Sequence, residues 1–389
     1  MTAPSIYILV LLLAIEAGIL IVAQKPVGKK IFKYLPSMFW IYFLPMLATT
    51  LGALPEKSPI YDLIGTWVLP AALVLLLMSA DIRGILRLGP TALAVMAASV
   101  FGIMAGAVTV FVLFHSSLPD QAWKGIGSLS ASWIGGSANM VAVGKAVAIP
   151  DRLLASIVVV DTIIPYCWMG LLIALSVHQQ KFDRWNHSNT RMIDDLAGRT
   201  KTYLPTGKTT VSIGGIMIIA IVAISGAFAA VVASRYLPAS KNIISASAWA
   251  IILATLLGIV LSFTPVRQLE SYGSNTIGYA LLYLVLASIG AKTSLRQIDS
   301  VPVLLAAGAT WIAIHAAILI IAARLLRAPM ALLATASQAS IGGPASAPVV
   351  AGVYHPELAA VGLLLAVLGN IAGTFLGLIT AQLCRLIST

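Results

Sequence analysis

Apolar residues in this chain come in long runs separated by short polar breaks, each run close to the ~20 residues that a helix needs to cross a bilayer. Such runs are too long for strands, and a backbone in lipid must satisfy its own hydrogen bonds, so they read as helices. The first half shows elements near 5–23, 34–54, 63–80, 91–114, 125–148 and 152–178, and the second near 211–236, 243–262, 276–291, 301–326, 330–354 and 357–384. The longest polar stretch, with Asp183, Arg184, Asn186, Asp194, Asp195 and Arg199, divides them. The expected organisation is a transmembrane repeat over 1–178, a polar cytoplasmic linker over 179–210 and a second repeat over 211–389. The linker is read as a connection rather than a folded domain.

The halves resemble one another. Leu47–Gly52 answers Leu253–Gly258, Ile64-Gly65 answers Ile277-Gly278, and Ile82-Arg83 answers Leu295-Arg296. The best match sets Ile134-Gly135-Gly136-Ser137-Ala138-Asn139 against Ile341-Gly342-Gly343-Pro344-Ala345-Ser346, and Pro150-Asp151 then answers Pro356-Glu357. Repeats with glycine-interrupted segments at matching places mark secondary transporters. If every element crosses, the halves are parallel. If the fifth and eleventh dip in and return, each half has five crossings and the halves are inverted.

Those two elements are the poorest helices in the chain. A Gly-Gly pair costs a helix about 2 kcal/mol relative to alanines, and Pro344 and Pro348 each remove a donor. A break at membrane depth is tolerated where protein or a water-filled cavity surrounds it. Half-helix N-termini there face anions, and unwound carbonyls can coordinate Na⁺. Gly135, Gly136, Ser137, Asn139, Lys145, Gln338, Gly342, Gly343 and Ser346 are therefore the candidate substrate-binding residues. The competing reading is small-residue packing between helices.

Composition sharpens the class. Hydrophobic residues make up 59% of the 389 and charged ones 10%, against roughly 25% charged in soluble domains, and the mean hydropathy is +0.98. The net charge of +11 does not point to nucleic acid, because Lys25, Lys29, Lys30 and Lys33, and more Lys/Arg from Lys181 to Lys208, sit in loops. That placement is of the positive-inside kind and favours the inverted arrangement, although Arg235, Lys241, Lys292 and Arg296 then fall outside. The expected location is the plasma (inner) membrane, with both termini outside and an uncleaved first helix.

Ionisable groups deep in apolar runs are functional candidates by default. Asp161 with Thr162 beside it leads, and the equivalent stretch of the second half holds Asn370. Asp161, Thr162 and Asn370 are the candidate ion-coupling residues, with Asp161 and Asn139 as Na⁺ ligands. Glu16 reads equally well as structural, and His315, Trp133 and Trp168 read as core or interface residues. Asp81 with Arg83 and Asp151 with Arg152 read as loop charges. Cys167 and Cys384 make no disulfide framework. The sequence shows no Ser/His/Asp arrangement at usable spacing, no His-x-x-x-His helix and no phosphate loop, so an enzyme and a bound cofactor are not expected.

On Trp133–Met140 and Ser340–Pro348 the chain resembles the YjcL-like integral membrane proteins, a family of unknown function, over essentially its whole length. More remotely it is similar to sodium-coupled glutamate and citrate carriers. That resemblance implies inverted repeats with Gly-Gly re-entrant hairpins, an elevator mechanism and a homodimer. It implicates Gly135, Gly136, Ser137 and Asn139 with Gly342, Gly343 and Ser346. Pro344 and Pro348 depart from the pattern, and no arginine lies deep in the last elements, which speaks against glutamate or citrate themselves. The resemblance to this family also implies a link to recovery of cell-wall peptide fragments.

The expectation is thus an all-α polytopic membrane protein and a Na⁺-coupled symporter for a small anionic or zwitterionic solute, such as an acidic amino acid, a carboxylate or a cell-wall-derived peptide. Elements one to three and seven to nine would form the scaffold and dimer contact. The alternatives are a cation/proton antiporter using Asp161, an intramembrane enzyme, and a passive structural subunit in which the Gly-Gly pairs tolerate substitution.

Overall fold

The computed structural model describes residues 3–26, 28, 32, 37–200, 212–238, 246–294 and 300–388. Lys29, Lys30, Lys33, Lys208, Lys241, Leu295 and Arg296 lie outside the described residues, as does the end of the polar stretch, 201–210. Among the described residues the regular structure is helical throughout. In chain order the first half has α1 (Ala3–Gln24), α2 (Ser37–Thr50), α3 (Pro59–Met78), α4 (Ile82–Arg87), α5 (Gly89–Leu113), α6 (Ala122–Gly135), α7 (Ser137–Ala146) and α8 (Asp151–Leu175). The polar stretch holds α9 (Gln179–Asn186) and α10 (Arg191–Thr200). The second half has α11 (Ile213–Ser234), α12 (Ala246–Ser262), α13 (Ser274–Ala291), α14 (Val301–Leu326), α15 (Met330–Ile341), α16 (Gly343–Tyr354) and α17 (Ala359–Ser388).

Among the described residues, eight helices are long and apolar enough to cross a membrane, and a ninth span arises if α12 counts with the bent turn that follows it. The protein is a multi-pass, all-α membrane protein. Two apolar helices, α2 and α15, are shorter. The chain folds as two compact units that interleave its halves. One comprises Met1–Ser79, Gly144–Thr162 and Lys208–Pro302; the other comprises Ala80–Val143, Ile163–Gly207 and Val303–Thr389. Elements one to three and seven to nine thus share a unit, joined by a segment of the first half.

In the first unit α3 is the enclosed helix, with Val74 and Leu75 fully buried. Glycines let its neighbours close on it. A Cβ at Gly258 of α12 would lie 2.8 Å from Leu77 Cβ, and one at Gly226 of α11 would lie 3.2 Å from Val74 Cγ1. Packing through small residues is what holds helices together where lipid removes the hydrophobic drive.

Polar contacts at the helix ends set direction. Ser79, just past the end of α3, meets Ser274 at the start of α13 at 3.1 Å. At the opposite end Lys292 Nζ lies 3.0 Å from Asp62 Oδ1. The third helices of the two halves are therefore antiparallel. Thr293 donates to the Asp151 carbonyl at 3.4 Å, so α8 starts at the end where α3 starts.

The polar stretch does more than connect. Asp183 Oδ1 accepts from Met330 N at 2.8 Å, which caps α15, and Asn186 Nδ2 donates to the carbonyls of Ala323 (3.2 Å) and Ala328 (2.9 Å). Asp81, read as a loop charge, accepts from Gly84 N at 3.0 Å and caps α4. A carboxylate suits a helix N-terminus because it meets unpaired N–H groups and the positive dipole end.

Candidate functional site

The two Gly-Gly segments are hairpins, and both lie in the second unit apart from the end of α7. The first turns at Gly136, whose φ of 80° and ψ of 170° belong to glycine. Ser128 Oγ of α6 donates to the Met140 carbonyl of α7 at 2.7 Å. A straight helix would hold those two residues about 18 Å apart, so the chain has doubled back.

The second turns at Gly342 and Gly343, the latter at φ 70°. Gln338 Nε2 of α15 donates to Ser346 Oγ of α16 at 2.8 Å, a pair about 12 Å apart in a straight helix. Pro344 occupies the first turn of α16, where a missing N–H costs nothing, so it starts that helix rather than breaking one. Every residue of α15 is buried, polar ones included. These helices can be poor in apolar residues because protein, not lipid, surrounds them.

The last helix organises both hairpins. Along α6, Gly127, Ala131 and Gly135 face Ala381, Gly377 and Gly373 of α17 in antiparallel register, and the Gly369 carbonyl lies against Gly135. The spacing of four on each helix brings small residues onto one face, so the two backbones nearly touch. At the other end of α17, a Cβ at Gly362 would lie 2.9 Å from the Ala347 carbonyl of α16. The hairpins therefore approach along α17 from opposite ends. Gly343 lies one helical turn beyond Ala347, so the second tip reaches about the level of Ala366, roughly a turn from Asn370.

Asn139 is engaged at the first tip. Its Nδ2 donates to the carbonyls of Gly135 (2.5 Å) and Asn370 (3.1 Å), and its Oδ1 accepts from Thr374 Oγ1. It holds the tip closed onto α17, with one hydrogen bond accepted at Oδ1. The unpartnered oxygens belong to its neighbours. Asn370 Oδ1, 3.5 Å from where a Cβ on Gly136 would stand, is buried without a hydrogen-bond partner, and so is Gln338 Oε1 at the second tip. An orphaned buried acceptor costs about 1–3 kcal/mol. Two of them beside two unwound glycine turns form a site short of a cation or of a donor. Helices α7 and α16 both start at these tips, and the Gly136 carbonyl accepts from Asn139 N at 3.0 Å in the first turn of α7. Ser137 is the first residue of α7.

The structure thus gathers Gly135, Gly136, Ser137, Asn139 and Asn370 at one tip, and Gln338, Gly342, Gly343 and Ser346 at the other. Lys145, Asp161 and Thr162 belong to the first unit. Lys145 is carried away by the rise of α7, and its Nζ lies 3.3 Å from where a Cβ on Gly65 would stand. The Thr162 hydroxyl bonds back to the Val158 carbonyl at 2.8 Å.

Thr374 was missed, although its spacing of four from Asn370 puts both on one face of α17. A buried network beside the second hairpin was missed too. Trp168 Nε1 donates to Ser337 Oγ at 2.9 Å, and His315 Nε2 meets the same oxygen at 2.9 Å. Trp133 is a core residue, its ring centroid 4.7 Å from that of Trp311.

A family profile described as "Protein of unknown function (DUF819)" matches residues 11–387. The chain belongs to the DUF819 family. It is similar to the uncharacterized membrane protein YjcL of Bacillus subtilis (strain 168), with 28% identity over 349 residues that cover 85% of this chain and 86% of the relative. The match spans both hairpins and both units.

Proposed function

We propose that this DUF819 protein is a secondary active transporter, a Na⁺-coupled symporter for a small anionic or zwitterionic solute. The observation that carries the reading is the pair of hairpin tips approaching one level of α17 from opposite ends, each with an unpartnered buried amide oxygen. Na⁺ is a hard cation that takes neutral oxygens, and Asn370 Oδ1 and Gln338 Oε1 supply them without the desolvation cost of a buried carboxylate. The helix starts at the tips offer N–H groups to an anionic group of the solute. Asn139 and Thr374 position the first tip. Lys145, Asp161 and Thr162 are not needed for this site.

Antiparallel α3 and α13, together with two returning hairpins, support halves of inverted orientation. In this reading the unit that holds both tips is the moving body of an elevator, and the other is the scaffold and homodimer contact. The protein would work in the inner membrane.

The test is uptake by proteoliposomes across a panel of acidic amino acids, dicarboxylates and cell-wall peptides, with an inward Na⁺ or K⁺ gradient. Solute accumulation that requires Na⁺ and disappears in Asn370→Leu supports the reading. Accumulation of none of them under either gradient counts against it. Proton release driven by Na⁺ alone moves the protein to the antiporter class.

A further inference from the structure

A cleft of about 200 Å³ opens in the first unit among α3, α7, α11 and α12. Its polar lining consists of Thr66, Lys145, Ser234, Arg235 and Ser247, and no carboxylate lines it. Its remaining wall is apolar, formed by Pro70, Val231, Ala250 and Ile251 with Gly65. Four of the polar groups sit at helix ends, Ser234 as the last residue of α11. Lys145 is the penultimate residue of α7, Arg235 follows the last of α11, and Ser247 is the second of α12. That is the depth of lipid headgroups in a spanning bundle.

The local backbone makes the room. Residues Ile64–Val68 of α3 form a π-helical turn two residues before Pro70. Proline would clash with the carbonyl four residues back in a regular helix, and the widened turn relieves this. The bulge carries Gly65 and Thr66 into the cleft, and because residue 65 has no side chain, Lys145 Nζ can lie against its backbone.

Two cations on one cleft favour an anion between them, although Asp62 and Asp151, outside the cleft, offset part of the Lys145 charge. A free ion would use the charged rim but not the apolar wall; a lipid uses both. We propose that the cleft binds the phosphate of an anionic phospholipid between Lys145 and Arg235, with an acyl chain along Val231, Ala250 and Ile251. Thr66 and Ser247 hydroxyls face the same group. This site is separate from the hairpin tips and does not depend on the transport reading.

The experiment uses the full-length protein purified in neutral detergent. Retained lipid is read by native mass spectrometry after addition of phosphatidylglycerol or phosphatidylcholine, with inorganic phosphate as a separate arm. Phosphatidylglycerol is expected to bind in preference to phosphatidylcholine. Each of Lys145→Gln and Arg235→Gln should weaken it about fivefold, the value of one cation at a membrane surface. Lys145→Arg should retain it, which separates lost charge from lost fold. Equal retention of the two lipids overturns the proposal, as does undiminished phosphatidylglycerol binding by the folded double glutamine variant. Displacement of the lipid by millimolar inorganic phosphate would overturn the lipid assignment and leave a site for a soluble oxyanion.

Discussion

The side-chain amide of Asn139 donates to the backbone carbonyl of Asn370 at 3.1 Å, binding the tip of the first hairpin to a helix 231 residues further along the chain. The same side chain accepts from Thr374, so one residue closes the tip through three contacts. Asn139→Ala strips partners from a buried hydroxyl and two carbonyls. It should lower stability by about 1–3 kcal/mol and abolish uptake, whereas Thr374→Ser, which keeps a hydroxyl, should do neither. Thermal unfolding in detergent and proteoliposome uptake check both.

The doubling back at Gly342-Gly343 can be tested covalently. Gln338→Cys with Ser346→Cys, in a background with the exposed Cys167 changed to Ser, should form a disulfide on mild oxidation. Cα atoms more than 7 Å apart cannot be bridged without backbone movement, and a straight helix holds these about 12 Å apart. Mass spectrometry after thiol labelling reads the result. Absence of both the disulfide and a link by a short bifunctional thiol reagent would mean that the segment crosses instead.

One substitution should carry opposite signs at two glycines. Gly170 of α8 has nothing within 4 Å of where its Cβ would stand. Gly170→Ala should therefore stabilise by up to about 1 kcal/mol through helix propensity. At Gly377 that space is occupied by Ala131. Gly377→Ala should therefore destabilise by about 1–3 kcal/mol as the two helices are pushed apart. Comparison of midpoints under one set of conditions suffices.

Asn370→Leu removes an orphaned oxygen together with the proposed ligand. Without Na⁺ the variant should match or exceed the parent, because the buried acceptor no longer lacks a partner. With Na⁺ the order should reverse, because only the parent gains by binding. The stability curves against Na⁺ concentration should cross, and parallel curves would remove Asn370 from the ion site.

The breaks at Gly135-Gly136 and Gly342-Gly343 were legible because glycine pairs stand out in apolar runs. The spans were legible from length alone, but α9 and α10 were not. They are polar, and the anchoring of α9 to the Ala328 carbonyl and Met330 N depends on neighbours distant in sequence. The place of Lys145 was misread for a similar reason. It closes the glycine motif in sequence, yet the rise of α7 takes it about 13 Å from the turn. Thr374 was hidden because the sequence displays the four-residue spacing of small residues on α17 without naming the helix they meet.

That spacing has a mechanical meaning. Gly127, Ala131 and Gly135 mesh with α17 like a rack engaging a pinion, with teeth every fourth residue, about 6 Å apart. A rack in mesh does not creep: a displacement smaller than one tooth drives backbone into backbone. In the transport reading the first hairpin and α17 would then move as a single part.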